Sequence, residues 1–171
     1  MKHIGLISDT HGFLDDKVYH YFENCDEIWH AGDIGTEEIT DKLAAFKPLK
    51  AVYGNIDGVN LRIAFPLDQV FVCEGMKVFM THIGGSPEKY PAVVRKKFLE
   101  HRPDIFICGH SHILRIISDK VHNFLYLNPG AAGVHGFHAL RTLIRFKIQK
   151  GHISDMQVIE LGKRGKEMPN I

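Results

Sequence analysis

Lys2-His3-Ile4-Gly5-Leu6-Ile7-Ser8-Asp9-Thr10-His11-Gly12 is the stretch from which the rest of the chain can be read. An apolar run that ends abruptly at polar residues and glycine has the form of a buried strand. At the carboxyl end of that strand stand a carboxylate and an imidazole two residues apart. Side chains at i and i+2 of a strand point to one face, so Asp9 and His11 are expected to converge on one point, as ligands of a metal ion do. An Asp and a His this close more often make a surface hydrogen bond, and the metal reading depends on partners elsewhere in the chain.

The same arrangement recurs downstream. Asp15 can cap a helix running to about Asn24, with Val18 and Phe22 on one face. Asp26–His30 reads as the next strand, followed directly by Ala31-Gly32-Asp33. Thr36, backed by Glu37 and Glu38, has the form of a helix start. Ile39, Leu43 and Phe46 give the i, i+4, i+7 stripe, and Pro48 ends it. Lys50–Tyr53 is a third strand, closing on Gly54-Asn55. Gln69–Cys73 and Lys77–Thr81 flank Glu74-Gly75-Met76, a hairpin signal, and the second of these strands ends at His82-Ile83-Gly84-Gly85. Pro91 suits the first turn of a helix to about His101, with Val94 and Phe98 on its buried side. Asp104–Cys108 is another strand and ends in Gly109-His110-Ser111-His112. Ile113–Ser118, Phe124–Leu127, Leu140–Gln149 and His152–Leu161 are expected to be antiparallel strands joined by turns. The class is α/β, organised as a single domain over 1–162 with a flexible basic tail over 163–171.

Composition narrows the function. The chain has 171 residues, enough for one core, with 44% hydrophobic and 24% charged residues, which excludes a disordered or fibrous protein. A formal net charge of +1 supplies no global field, so no stable nucleic-acid complex and no membrane association are expected. Arg95-Lys96-Lys97 reads as a solvated helix face. The apolar run Ile4–Ile7 is too short for a signal segment or a membrane span, so the mature protein is expected to begin at or near Met1. Cys25, Cys73 and Cys108 make neither a disulfide framework nor a zinc cluster, and three buried thiols fit a reducing cytoplasm. Oligomeric state is left open. Histidine is the unusual residue, twelve in all, several beside glycine in loops. His3, His20, His101, His122 and His152 read as surface or strand-flank residues and His30 as packed.

Candidate ligands therefore stand at successive strand ends: Asp9, His11, Asp33, Asn55, His82, His110 and His112. In sheets that alternate with helices, ligands bind beyond the carboxyl ends of strands. Nitrogen-rich positions mixed with oxygen donors suit two divalent transition-metal ions, manganese first, with iron, zinc or nickel as alternatives. Asp33, with two oxygens and Gly32 beside it, can bridge both. Two ions roughly 3.5–4 Å apart can generate a hydroxide between them and clamp phosphoryl oxygens during in-line attack.

Asp-x-His (Asp9, His11), Gly-Asp (Gly32, Asp33), Gly-Asn (Gly54, Asn55), a lone His82 and Gly-His-x-His (Gly109, His110, His112), in that order, resemble the calcineurin-like metallophosphoesterase family. In length the chain is similar to the small single-domain YfcE-like phosphodiesterases, and Asn128-Pro129-Gly130 also resembles that branch. The resemblance implies a four-layer α/β/β/α sandwich of two mixed sheets flanked by helices. It also implies that Asp9, His11 and His112 hold one metal, that Asn55, His82 and His110 hold the second, and that Asp33 bridges, so that all seven are catalytic. The implied activity is phosphoester hydrolysis by a metal-bridging hydroxide on a phosphodiester or phosphomonoester small molecule. Asn55 is also a candidate substrate contact. His135 and His138, in Gly133-Val134-His135-Gly136-Phe137-His138, either contact substrate or belong to a simple turn.

One departure matters. Larger family members follow Gly-Asn with a histidine assigned to leaving-group protonation, whereas Ile56 stands here and cannot move a proton. A preference for phosphodiesters with good leaving groups follows. The alternative function is a non-catalytic protein-binding scaffold on the same fold, as in the retromer scaffold subunit that resembles this family.

Overall fold

Alternation along the first strand decides the layering. In β1 (Lys2–Ile7) the side chains of Ile4 and Leu6 enter one hydrophobic cluster and Ile7 enters another, so the strand is buried on both faces. Gly5 lies on the Ile7 face, where a Cβ would stand 2.8 Å from the ring of Phe22; the missing side chain is what lets a helix pack this close. The computed structural model describes residues 1–165.

After β1 the chain forms α1 (Lys17–Phe22), β2 (Glu27–His30), α2 (Glu37–Phe46), β3 (Leu49–Ala51) and α3 (Val59–Ala64). The hairpin of β4 (Asp68–Cys73) and β5 (Met76–Thr81) follows, then α4 (Ala92–His101), β6 (Ile105–Ile107), β7 (Leu114–Asp119), β8 (Phe124–Pro129), β9 (Leu140–Gln149) and β10 (His152–Lys163). Two five-stranded sheets result, ordered β10-β9-β1-β2-β3 and β4-β5-β6-β8-β7. Both are mixed. β1, β2 and β3 run parallel in the first, as do β5, β6 and β8 in the second, and the outer strands pair antiparallel.

The inner faces of the two sheets meet in a core that includes Ile4, Leu6, Trp29, Met80, Ile107 and Phe146. Helices cover the outer faces. Val18 and Phe22 of α1, Ile39 and Leu43 of α2 and Leu61 of α3 pack with Ile28 and Ala51 of the first sheet. Val94 and Phe98 of α4 pack on Phe79, Phe106 and Tyr126 of the second. The layers are thus helix, sheet, sheet, helix, and the sandwich expected from the resemblance is what the chain forms.

Three details differ from the sequence expectation. The last four strands do not make one antiparallel run: β7 and β8 form a hairpin in the second sheet, whereas β9 and β10 form one in the first. Hydrophobic alternation marks a strand without naming its sheet, because both sheets bury the same kind of face. α3 is an additional helix with a single buried side chain, Leu61, too little apolar stripe to be read from sequence. Finally, β10 carries through Lys163, paired with Leu140, so the strand enters the segment expected as a flexible tail; the end of that tail, 166–171, lies outside the described residues. Among the described residues no helix is long and apolar enough to cross a membrane.

His30, at the end of β2, is fully buried and its ring is bonded at both nitrogens. Nδ1 accepts the Gly32 N–H at 3.2 Å, and Nε2 lies 3.0 Å from the Thr10 hydroxyl, which itself donates to the Ile34 carbonyl at 2.8 Å. This pattern requires the neutral Nε2–H tautomer, and burial holds the pKa down to about 4. The unfolded chain takes up that proton near pH 6.5, so acid favours unfolding. Stability contributed by neutral His30 is complete above pH 6.5 and is lost as pH falls towards 4, by about 3 kcal/mol in total. The urea midpoint of the native protein should drop across that window more steeply than that of His30→Gln, which does not titrate; parallel slopes would contradict this.

Candidate metal centre

The loops beyond the carboxyl ends of the parallel strands gather at one edge of the sandwich. Asp9 and His11 follow β1, Asp33 follows β2, Asn55 follows β3, His82 follows β5, and His110 and His112 follow β6. Five of these seven residues have left-handed backbones: Asp9 (φ 54°), His11 (φ 46°), Asp33 (φ 51°), His110 (φ 69°) and His112 (φ 58°). Non-glycine residues rarely adopt this region, and such strain concentrates at functional sites. It also corrects the expectation for Asp9 and His11. β1 ends at Ile7, so the two side chains converge through a tight loop and not through strand alternation.

Bonds between loops hold that geometry. Asp9 N–H donates to Gly32 O and His11 N–H to Asp33 O, each at 3.0 Å. Across the sheets, Ala132 N–H donates to Ser8 O at 2.9 Å and Gly133 N–H to Asp9 O at 3.0 Å. The motif glycines let the loops touch: a Cβ at Gly54 would lie 2.1 Å from Asp33 Oδ1, and one at Gly109 would lie 2.2 Å from Ser8 Oγ and 2.7 Å from Asp9 Oδ2.

The side chains form two adjoining groups whose ligand atoms lie within 4.8 Å of one another, Asp9–His11–His112 and Asp33–His82–His110. Asp9 Oδ1 stands 3.1 Å from His112 Nε2 and 3.9 Å from His11 Nε2. Asp33 Oδ2 lies 3.5 Å from His11 Nε2 and 3.2 Å from His82 Nε2, so this one oxygen faces both groups. Asn55 Oδ1 completes the second group, 3.1 Å from His82 Nε2. All seven expected ligands are thus brought together.

Two buried atoms here have no hydrogen-bond partner, Asp9 Oδ1 and His11 Nε2. An unpartnered buried carboxylate oxygen is costly, and both atoms point to where a cation would satisfy them. Asp9 Oδ2 is by contrast occupied, accepting the Ser8 hydroxyl at 2.6 Å and the His110 N–H at 3.2 Å. The residues present therefore fit a pair of cations.

Electrostatics agree. Burial of Asp33 opposes its charge, yet His82, the Ile56 N–H and His11 together hold its carboxyl below the usual range. Burial lowers the pKa of His11 and of His110, keeping bare imidazole nitrogens available. On His82 burial is outweighed by Asp33 and Asp9, and the pKa is raised.

Three residues have supporting roles that the sequence does not assign, although Asn128 and His138 stand out in it for other reasons. Asp57 is buried and accepts the backbone N–H groups of Ile34 at 3.1 Å, Gly35 at 2.8 Å and Gly54 at 2.7 Å, locking the Asp33 loop to the Asn55 loop. Asn128 donates to Gly109 O at 2.9 Å and to Ser111 Oγ at 3.1 Å, shaping the Gly-His-x-His loop. His138 bonds His112, Nδ1 to Nδ1, at 3.1 Å, and its Nε2 lies 2.9 Å from Gly133 O. A carbonyl only accepts, so His138 carries its proton on Nε2, His112 donates from Nδ1, and His112 Nε2 is left as a lone pair facing Asp9. Both His138 nitrogens are thereby engaged, leaving neither for substrate. His135 differs: it is exposed, its ring centroid lies 5.1 Å from that of His11, and it lines the cleft.

Comparison with known proteins now has a geometry to meet. A family profile described as the calcineurin-like phosphoesterase superfamily domain matches residues 1–151. A probable metallophosphoesterase of Methanocaldococcus jannaschii is 34% identical over 140 residues, 77% of this chain and 68% of that protein. Among solved structures, one described as a novel archaeal phosphodiesterase superposes with a TM-score of 0.71 at 22% identity, covering 93% of this chain and 99% of the other. Vps29 from Chaetomium thermophilum superposes with a TM-score of 0.73 at 16% identity, covering 95% and 97%. At such identities the likeness of structure speaks for the fold alone, whereas the profile match spans nearly the whole chain. The chain belongs to the calcineurin-like phosphoesterase superfamily.

Proposed function

We propose that the protein is a phosphoesterase dependent on two divalent ions, manganese first among the candidates, acting on phosphodiesters. One observation carries this reading: buried Asp9 Oδ1 and His11 Nε2 lack any partner beside Asp33, whose Oδ2 faces both ligand groups. Asp9, His11 and His112 would hold one ion and Asn55, His82 and His110 the other, with Asp33 shared between them. When bound, such a pair supplies Lewis acidity, activating water for in-line attack and neutralising charge on the phosphoryl oxygens. The chain's own residues do the rest. Asp57 and the paired loops fix the ligands in advance, and His138 keeps the lone pair of His112 Nε2 exposed. The cleft in front, about 590 Å³, is open to a small ester.

A scaffold role on the same fold is the competing reading. The likeness to Vps29 bears on fold only, and the complete ligand set with its positioning shell favours chemistry. Partially exposed Ile56 lines the cleft and contributes its backbone N–H to Asp33 Oδ1 at 3.1 Å, but its side chain can transfer no proton. The departing alcohol therefore receives no proton from this position.

With added manganese the purified protein should hydrolyse bis(4-nitrophenyl) phosphate. Asp33→Asn and His110→Ala should each lower kcat/KM by roughly a hundredfold or more, as loss of a ligand would; unchanged rates would remove the mechanism. Across diesters of rising leaving-group pKa, rates should fall steeply, and a flat profile would show that some other group supplies the proton. Calorimetric titration of His138→Ala with manganese should show binding weakened roughly 10- to 100-fold, whereas native affinity would mean that the His138–His112 bond does not orient a ligand.

A further inference from the structure

The cleft has a second character beside its ligands. Phe137 is fully exposed, Ile113 is 59% exposed and Ile56 47% exposed, and all three line the same cleft as His11, Asp33 and His110. Among the described residues that line it, none is a lysine or an arginine. A smaller, shallower recess of about 370 Å³, formed by Gly12, Gly35 and Thr36, adjoins it and shares His11, Ile56 and His135. The space in front of the candidate metal site thus continues from the cleft into a second, smaller and also mostly apolar recess.

Phe137 is held where it is. Gly136, on one side, has φ 127°, and a Cβ there would stand 2.2 Å from His112 Nδ1. On the other side His138 bonds His112. Backbone packed on His112 at Gly136 and bonded to it through His138 presents a whole aromatic side chain to water at the mouth of the site. An exposed phenyl ring gains nothing from folding, whereas a ring against a bound apolar group does, by area burial and by stacking.

Resting on the phosphoesterase reading, we infer that Phe137 and Ile113 form a platform for an uncharged, planar aromatic substituent of the phosphate ester. Substrates of this class carry one phosphate, the reacting one. An ester with further phosphates or a polyanionic chain would bring negative charge to a cleft lined by no lysine or arginine, Arg164 being held outside it on the His138 carbonyl at 3.0 Å. The adjoining recess beside Thr36 leaves room for the second, smaller group of a diester.

The test uses manganese-loaded full-length protein and calorimetry with inorganic phosphate, methylphosphonate, phenylphosphonate and 4-carboxyphenylphosphonate. Native protein should bind phenylphosphonate roughly tenfold more tightly than methylphosphonate. The carboxylated ring should lose much of that advantage, and in Phe137→Ala the phenyl-to-methyl ratio should fall to about one. Because Phe137 is fully exposed, its removal does not threaten the fold. Equal binding of the two phosphonates by the native protein, or a ratio that survives Phe137→Ala, overturns the platform while leaving the phosphoesterase reading standing. Failure of phosphate and of every phosphonate to bind would overturn both.

Discussion

Asp9 is the point at which the two sheets are tied together and the site is opened. One carboxylate oxygen is consumed by the fold, taking the Ser8 hydroxyl from its own sheet and the His110 N–H from the other. The second oxygen is left buried and unpartnered. Division of labour between two oxygens of one side chain means that packing of the sandwich and placement of a cation ligand are the same event. His82 repeats the device from the opposite side, its Nδ1 bonded to Ala31 O of the first sheet at 2.8 Å while Nε2 faces Asp33.

Such an arrangement stores unfavourable terms. Left-handed backbones at five ligands and two orphaned buried atoms would destabilise an isolated loop. They persist because the surrounding layers determine them: parallel strands deliver each loop to one edge, motif glycines allow backbone and carboxylate to touch, and Asp57 and Asn128 close the remaining N–H and C=O groups. Stability of the sandwich is in this sense invested in a preorganised edge, and a bound cation would relieve part of the strain it creates.

A glycine-rich loop after β8 serves the site twice. Facing inward, it contributes His138, which fixes the tautomer of His112, and the Gly133 carbonyl that fixes His138 in turn. Facing outward, it carries Phe137 and His135 to the cleft. Both faces belong to one short segment that lies far in sequence from the Asp-x-His beside which it packs.

The sequence by itself determined the α/β class and the seven strand-end residues that folding gathers at one edge, because strand and helix periods and glycine-flanked polar residues are local signals carried by neighbouring side chains. It also placed Ile56 after Gly54-Asn55, where the resemblance leads one to expect a histidine. Tertiary structure alone decided the rest. Which sheet each late hairpin joins depends on packing between layers that bury similar faces. Convergence of Asp9 with His11 depends on left-handed φ values imposed by contacts to Gly32 and Asp33, not on the strand alternation that the spacing suggests. Asp57 is an ordinary polar residue in sequence, and His138 stands there only as a candidate substrate contact; both acquire their supporting roles from backbone amides and an imidazole that folding brings to them from distant segments.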